Sequence, residues 1–187
     1  MTNTSALDCE IASRCGGCPW HAKPLVQQHA DKRAALASAL GGLAEGAVWH
    51  AFFETPSLAF RDRLDLRLNE GRLGLLGQEG DGVVDMERCP IATDEVNAAL
   101  GVLRADLPPA AIVERSSVRL RARGARVGVW LDLPHLALKG LLDEASWLRR
   151  ATARGWVVEL GPKGRRYDQG LVTPTLMAWS ETFVDGP

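Results

Sequence analysis

Apolar and polar residues alternate strictly along "FRDRLDLRLN": Leu64, Leu66 and Leu68 fall on one side of an extended chain, Arg63, Asp65 and Arg67 on the other. That is the two-residue period of a half-buried strand. Asn69-Glu70-Gly71 then supplies a turn, and "RLGLL" a second strand at Leu73 to Leu76, so the pair reads as a hairpin. "GVVDM" predicts a short strand that runs into Cys89. "SSVRLRARGARVGVWLDL" repeats the alternation, with Val118, Leu120 and Ala122 opposite Arg119, Arg121 and Arg123, and turns at Gly124. "AVWHAFF" reads as an earlier strand and "WVVEL" as the last clear one.

A longer period appears elsewhere. Leu25, His29, Leu36, Leu40 and Leu43 recur at helical spacing between Pro24, suited to a first helical turn, and Gly41-Gly42, which ends the run. Thr93 is placed to cap a helix through about Leu103, with Asp94 and Glu95 in its first turn and Val96, Leu100 and Leu103 as its apolar stripe. Pro108-Pro109 stops it. A helix over roughly 134–153 follows, weakened by Gly140 and closed by Gly155. Hairpins with interspersed helices predict an α+β fold with a mainly antiparallel sheet rather than a doubly wound nucleotide fold. Three regions are expected: a cysteine-rich segment over 1–22, a central α+β domain over 23–160, and a C-terminal extension over 161–187.

Composition adds little to this outline: 46% hydrophobic and 24% charged residues suit an ordinary folded domain of 187 residues. No apolar run approaches the roughly 18 residues of a membrane helix, and the N-terminus lacks the basic and apolar regions of a signal peptide. A cytoplasmic setting is therefore expected. With a net charge of −1 and a pI of about 6.4, indiscriminate coating of nucleic acid is not.

The cysteines change the picture. Three stand in "CEIASRCGGCPW" (Cys9, Cys15 and Cys18), and the fourth, Cys89, lies in "DMERCPIATDE". In a reducing compartment clustered thiols point to metal or redox chemistry. Zinc sites usually present two close pairs, whereas three clustered ligands and a distant fourth favour a 4Fe-4S iron–sulfur cluster. Gly16-Gly17, free to take positive φ, would bring backbone N–H groups to the sulfurs, and proline follows both Cys18 and Cys89. Structural zinc and free or disulfide-bonded cysteines are the alternatives. Trp20, beside the ligands, is expected to shield the site from water, while Trp130, Trp147 and Trp156 lie in apolar stretches and read as core.

"CGGCPW" with a cysteine upstream, followed by "FRDRLDLRL", "GRLGLLG" and "GVVDMERCPIATDEVNAAL", resembles the front half of the bacterial iron–sulfur RNA (uracil-5)-methyltransferases over about Cys9 to Leu100. The stretch from "WVVELGPKGRR" onward looks like the approach to that family's methyltransferase domain. The resemblance implies that Cys9, Cys15, Cys18 and Cys89 ligate one 4Fe-4S cluster, and that the intervening strands contact rRNA or tRNA. It also implies S-adenosylmethionine as the methyl donor of a full-length parent. Relatives often carry an N-terminal OB-like domain, for which no room is expected before Cys9, and many place a histidine shortly after the third cysteine, where this chain has His21. The family's chemistry needs a cysteine nucleophile and a glycine-rich cofactor turn. With four cysteines assigned to the cluster and no such turn, this chain is not expected to methylate RNA by itself.

The basic positions assigned to RNA are Arg61, Arg63, Arg119, Arg121 and Arg123, with pairing to Asp62 and Asp65 or simple solvation as the alternative reading. "KGRR", Lys163 to Arg166, reads as a solubilising turn, and His29, His50 and His135 have no ligand partner in sequence. A stand-alone iron–sulfur protein for electron transfer or redox sensing is the alternative function, and a zinc-stabilised interaction module a third.

Overall fold

A computed structural model describes residues 8–46, 48, 58–80, 82–109, 115–161, 165–168 and 171–174. The strand expected over 47–53 lies outside the described residues, apart from Val48. Among those described, eight strands form one sheet: β1 (Arg63–Asn69), β2 (Arg72–Leu76), β3 (Val83–Asp85), β4 (Arg115–Arg123), β5 (Arg126–Asp132), β6 (Val157–Leu160), β7 (Arg165–Asp168) and β8 (Leu171–Pro174). Their spatial order is β3-β2-β1-β4-β5-β6-β7-β8. All neighbours run antiparallel except β5 and β6. A parallel pair needs a crossover, and it is made by α3 (His135–Asp143) and α4 (Ser146–Ala153). The fold is α+β, and its sheet is mixed. No described helix is long and apolar enough to cross a membrane.

The β1 and β4 alternation does what a two-residue period requires. Leu64, Leu66 and Leu68 are buried against Leu120, Val118 and Ser116 in register, while Arg63, Asp65 and Arg67 stay exposed. The buried face of the sheet packs on α2 (Asp94–Ala105), whose Val96, Ala99, Leu100 and Leu103 are buried, and on α4. Thr93 caps α2 as expected: its Oγ1 accepts from the Val96 N–H.

Two helices differ from expectation. The single helix expected over roughly 134–153 is two, broken at Glu144 and Ala145. On one straight helix Leu141 and Trp147, six residues apart, would point about 120° apart around the axis. The break lets both bury in one core, and Trp147 donates its indole N–H to the Asp106 carbonyl at 2.6 Å. The helix α1 (Leu25–Leu40) forms where expected and ends at Gly41, with φ +54°, yet none of its residues is buried and Leu36, Leu40 and Leu43 are exposed. Helical spacing of leucines there marks a helix without marking a core face.

Arg104 of α2 ties β2, β3 and α2 together. Its guanidinium donates to both Asp85 carboxylate oxygens at 2.7 and 2.8 Å and to the Met86 carbonyl, and Asp85 also accepts from the Leu73 N–H. The Arg104 hydrogen bonds, with the help of the Leu73 N–H and against partial burial, hold the Asp85 carboxyl below its usual range. A depressed native value means stability that is present above the unfolded pKa, about 3.9, and is lost as pH falls through the native one. In denaturation series between about pH 7 and pH 3, Asp85→Asn is expected to be less stable than wild type at neutral pH and to lose less on acidification. Parallel pH profiles would contradict this.

Candidate metal centre

Residues 9–23 form a chain of turns rather than a regular element, laid against the end of β2. The Gly16 N–H donates to the Leu76 carbonyl and the Gln78 N–H to the Arg14 carbonyl, an antiparallel bridge of Cys15 with Gly77. The Gln78 side chain adds bonds to the Ala12 and Cys15 carbonyls at 3.2 and 3.1 Å. Neither Gly16 nor Gly17 takes the positive φ expected of them. Close approach requires them instead: a Cβ at Gly16 would sit 2.8 Å from the Leu76 carbonyl oxygen, and one at Gly17 would sit 2.6 Å from Leu75 Cδ1. The Gly17 N–H lies 3.4 Å from Cys15 Sγ and donates to it.

The fourth cysteine comes from the chain that follows β3, the strand beside β2. After β3 the chain turns through Cys89-Pro90-Ile91, and Asn97 on α2 clasps the turn. Its Oδ1 accepts from the Cys89 N–H at 2.9 Å, and its Nδ2 donates to the Cys89 and Ala92 carbonyls at 3.0 and 3.1 Å. Asn97 was not singled out in the sequence. The signal available was an amide side chain in the first turn of a helix that follows a Cys-Pro loop.

All four cysteines line one pocket, together with Ala12, Arg61, Leu75, Met86, Pro90 and Ile91. All four are free thiols, and none of them forms a disulfide. The pocket is partly open to solvent, with the four cysteines and the apolar side chains of Leu75, Met86 and Ile91 along its wall. Among the described residues, no group of three or more His, Cys, Asp or Glu side chains is arranged to hold a metal ion.

Burial pushes the Cys15 and Cys18 thiols up, and the neighbouring cysteines add to the shift. The Arg61 charge opposes it at both, and the Gly17 hydrogen bond opposes it at Cys15.

The arginines assigned to RNA do not act as one group. Arg63 pairs with Asp65 at 3.1 Å, Arg119 with Asp65 at 2.6 Å and Arg121 with Asp62 at 3.2 Å, all on the sheet face opposite the helices. Arg123 is exposed at the β4–β5 turn. Arg61 is elsewhere, in the cysteine pocket. Trp130, expected in the core, lies on the polar face, with the Arg119 guanidinium 4.3 Å from its ring centroid and its indole N–H donating to the Gly161 carbonyl. Trp20 does not line the pocket; Lys23 and Lys32 stand over its ring at 5.2 and 5.4 Å. His21 Nδ1 hydrogen-bonds the Cys18 carbonyl at 3.0 Å. Of "KGRR", residues 163–164 lie outside the described residues, and Arg165 and Arg166 begin β7 rather than a turn.

No protein-family model matches the chain. It is 32% identical over 168 residues, 85% of its length, to an uncharacterized RNA methyltransferase of Bdellovibrio bacteriovorus, and 27% identical over 132 residues, 64% of its length, to an uncharacterized RNA methyltransferase of a Nostoc species. The chain covers 40% of the first relative and 29% of the second. These similarities support an RNA methyltransferase-related chain.

Proposed function

We propose that this chain is the 4Fe-4S-binding, RNA-recognition portion of an S-adenosylmethionine-dependent rRNA or tRNA uracil-5 methyltransferase. One observation carries the reading: three cysteines of the N-terminal segment and one from the turn between β3 and α2 line a single pocket, in a chain similar to proteins named RNA methyltransferases. The donor set fits an iron–sulfur cluster. Four cysteines lining one pocket supply the four thiolates that such a cluster takes, and Leu75, Met86 and Ile91 supply an apolar wall that limits water. When bound, the cluster pins residues 9–18 to the β3–α2 turn. Methyl transfer belongs to a nucleophile and a cofactor site that these four cysteines do not supply.

The polar sheet face is the RNA surface in this reading. Arg63, Arg119 and Arg121 are held extended by Asp62 and Asp65, and Trp130 offers an aromatic surface beside them. Replacing Arg119, Arg121 and Arg123 together with alanine is expected to weaken binding to rRNA and tRNA hairpins. It should also flatten the log K against log salt slope by roughly 2–3, about one per lost phosphate contact. Equal affinity and slope in the variant would remove this face from the proposal.

A further inference from the structure

Among the described residues, Arg61 is the one basic side chain that lines the cysteine pocket. Its backbone is clamped to the turn carrying Cys89: the Arg61 N–H donates to the Ile91 carbonyl at 2.8 Å, and the Thr93 N–H donates to the Arg61 carbonyl at 2.9 Å. Phe60 and Ala59 add bonds to Ile91 and Pro90. The side chain therefore enters the pocket from a backbone fixed to the turn that carries Cys89, rather than from a mobile surface loop. Arg63, Arg119 and Arg121, on the nearby strands, each face an aspartate, whereas among the described residues no carboxylate pairs with Arg61.

A pocket that gathers four thiolates and closes with apolar side chains concentrates negative charge where water screens it poorly. We propose that Arg61 is the charge-compensating residue of this pocket, its guanidinium stabilising the thiolate-ligated cluster and raising the cluster's reduction potential. The inference rests on the cluster reading above and adds to it a residue that is not a ligand. Net charge and hydrogen bonding near the sulfurs are among the levers that set such potentials. A fixed cation favours the more negative, reduced form.

The test uses the full 187-residue chain, reconstituted anaerobically with iron and sulfide, as wild type, Arg61→Gln and Arg61→Lys. Iron and sulfide content is measured first, then the one-electron midpoint potential by voltammetry, with the electron supplied by the electrode. Arg61→Gln is expected to hold the same iron and sulfide while its reduction becomes about tenfold less favourable, a shift of about 59 mV to lower potential. Arg61→Lys, which keeps the charge, should stay within about threefold of wild type. If Arg61→Gln folds with native circular dichroism but takes up no cluster, and Arg61→Lys does, the charge requirement is again upheld. Equal potentials in all three proteins, or Arg61→Lys matching Arg61→Gln, overturn the inference while leaving the cluster intact. A wild type that binds no iron overturns the cluster reading itself.

Discussion

Replacing Cys89 with alanine is expected to lower the stability of the metal-loaded protein by about 4 kcal/mol, the loop-closure entropy for a span of seventy residues. Cys9, Cys15 and Cys18 lie within ten residues of one another, so linking them constrains the unfolded chain little. Seventy residues separate Cys18 from Cys89, and only this fourth ligand closes that span. Without it, residues 9–18 keep the bridge of Cys15 with Gly77 and the bonds from Gln78, which hold the segment on β2 but no longer tie it to the β3–α2 turn. For a domain of this size the loss corresponds to a fall in Tm of roughly 8–16 °C. Thermal unfolding of anaerobically loaded wild type and Cys89→Ala checks it. The metal-free forms should differ by no more than about 1 kcal/mol, the share of one small buried side chain. An equal difference with and without metal would make Cys89 a core residue and nothing more.

Gly74→Ala is expected to cost about 3 kcal/mol or more, at the upper end of overpacking. Gly74 sits in β2 between Arg67 of β1 and Asp85 of β3. A Cβ there would lie 1.8 Å from the Val84 carbonyl oxygen and 3.2 Å from the Asp85 Cα. Both obstacles are backbone, so no rotamer change relieves them, and β3 must move away from β2. That movement pulls on the Asp85–Arg104 pair and on the chain leading to Cys89, so metal retention should fall with stability. Denaturant unfolding and the rate of iron loss to a chelator measure the two effects. Wild-type stability in Gly74→Ala would mean that β3 shifts freely and does not position Cys89.

Much of the fold was legible because local rules and tertiary packing agree. The alternation over 63–68 fixes which face of β1 is buried, Thr93 caps α2, and Gly124 turns the β4–β5 hairpin with φ +57°. The misreadings share a cause. Side-chain periodicity reports which face is apolar but not which strand lies beside it, so the parallel β5–β6 pair was not visible in "WVVEL". Likewise the leucines of α1 keep helical spacing without a partner in the described fold, and the 134–153 helix breaks because Leu141 and Trp147 must reach one core. The grouping of the four cysteines, which the structure brings to one pocket, was readable from their spacing. The place of Arg61 was not, because "FRDR" looks like a strand's polar edge until the backbone bonds to Ile91 and Thr93 bring it beside Cys89.

Iron and acid-labile sulfide per chain, measured on protein purified and kept without oxygen, is the most direct test of the central claim that the four cysteines share one cluster. The account predicts four irons and four sulfides per chain, with both lost in Cys89→Ala. One zinc per chain with no sulfide, or iron and sulfide retained in full without Cys89, would contradict it.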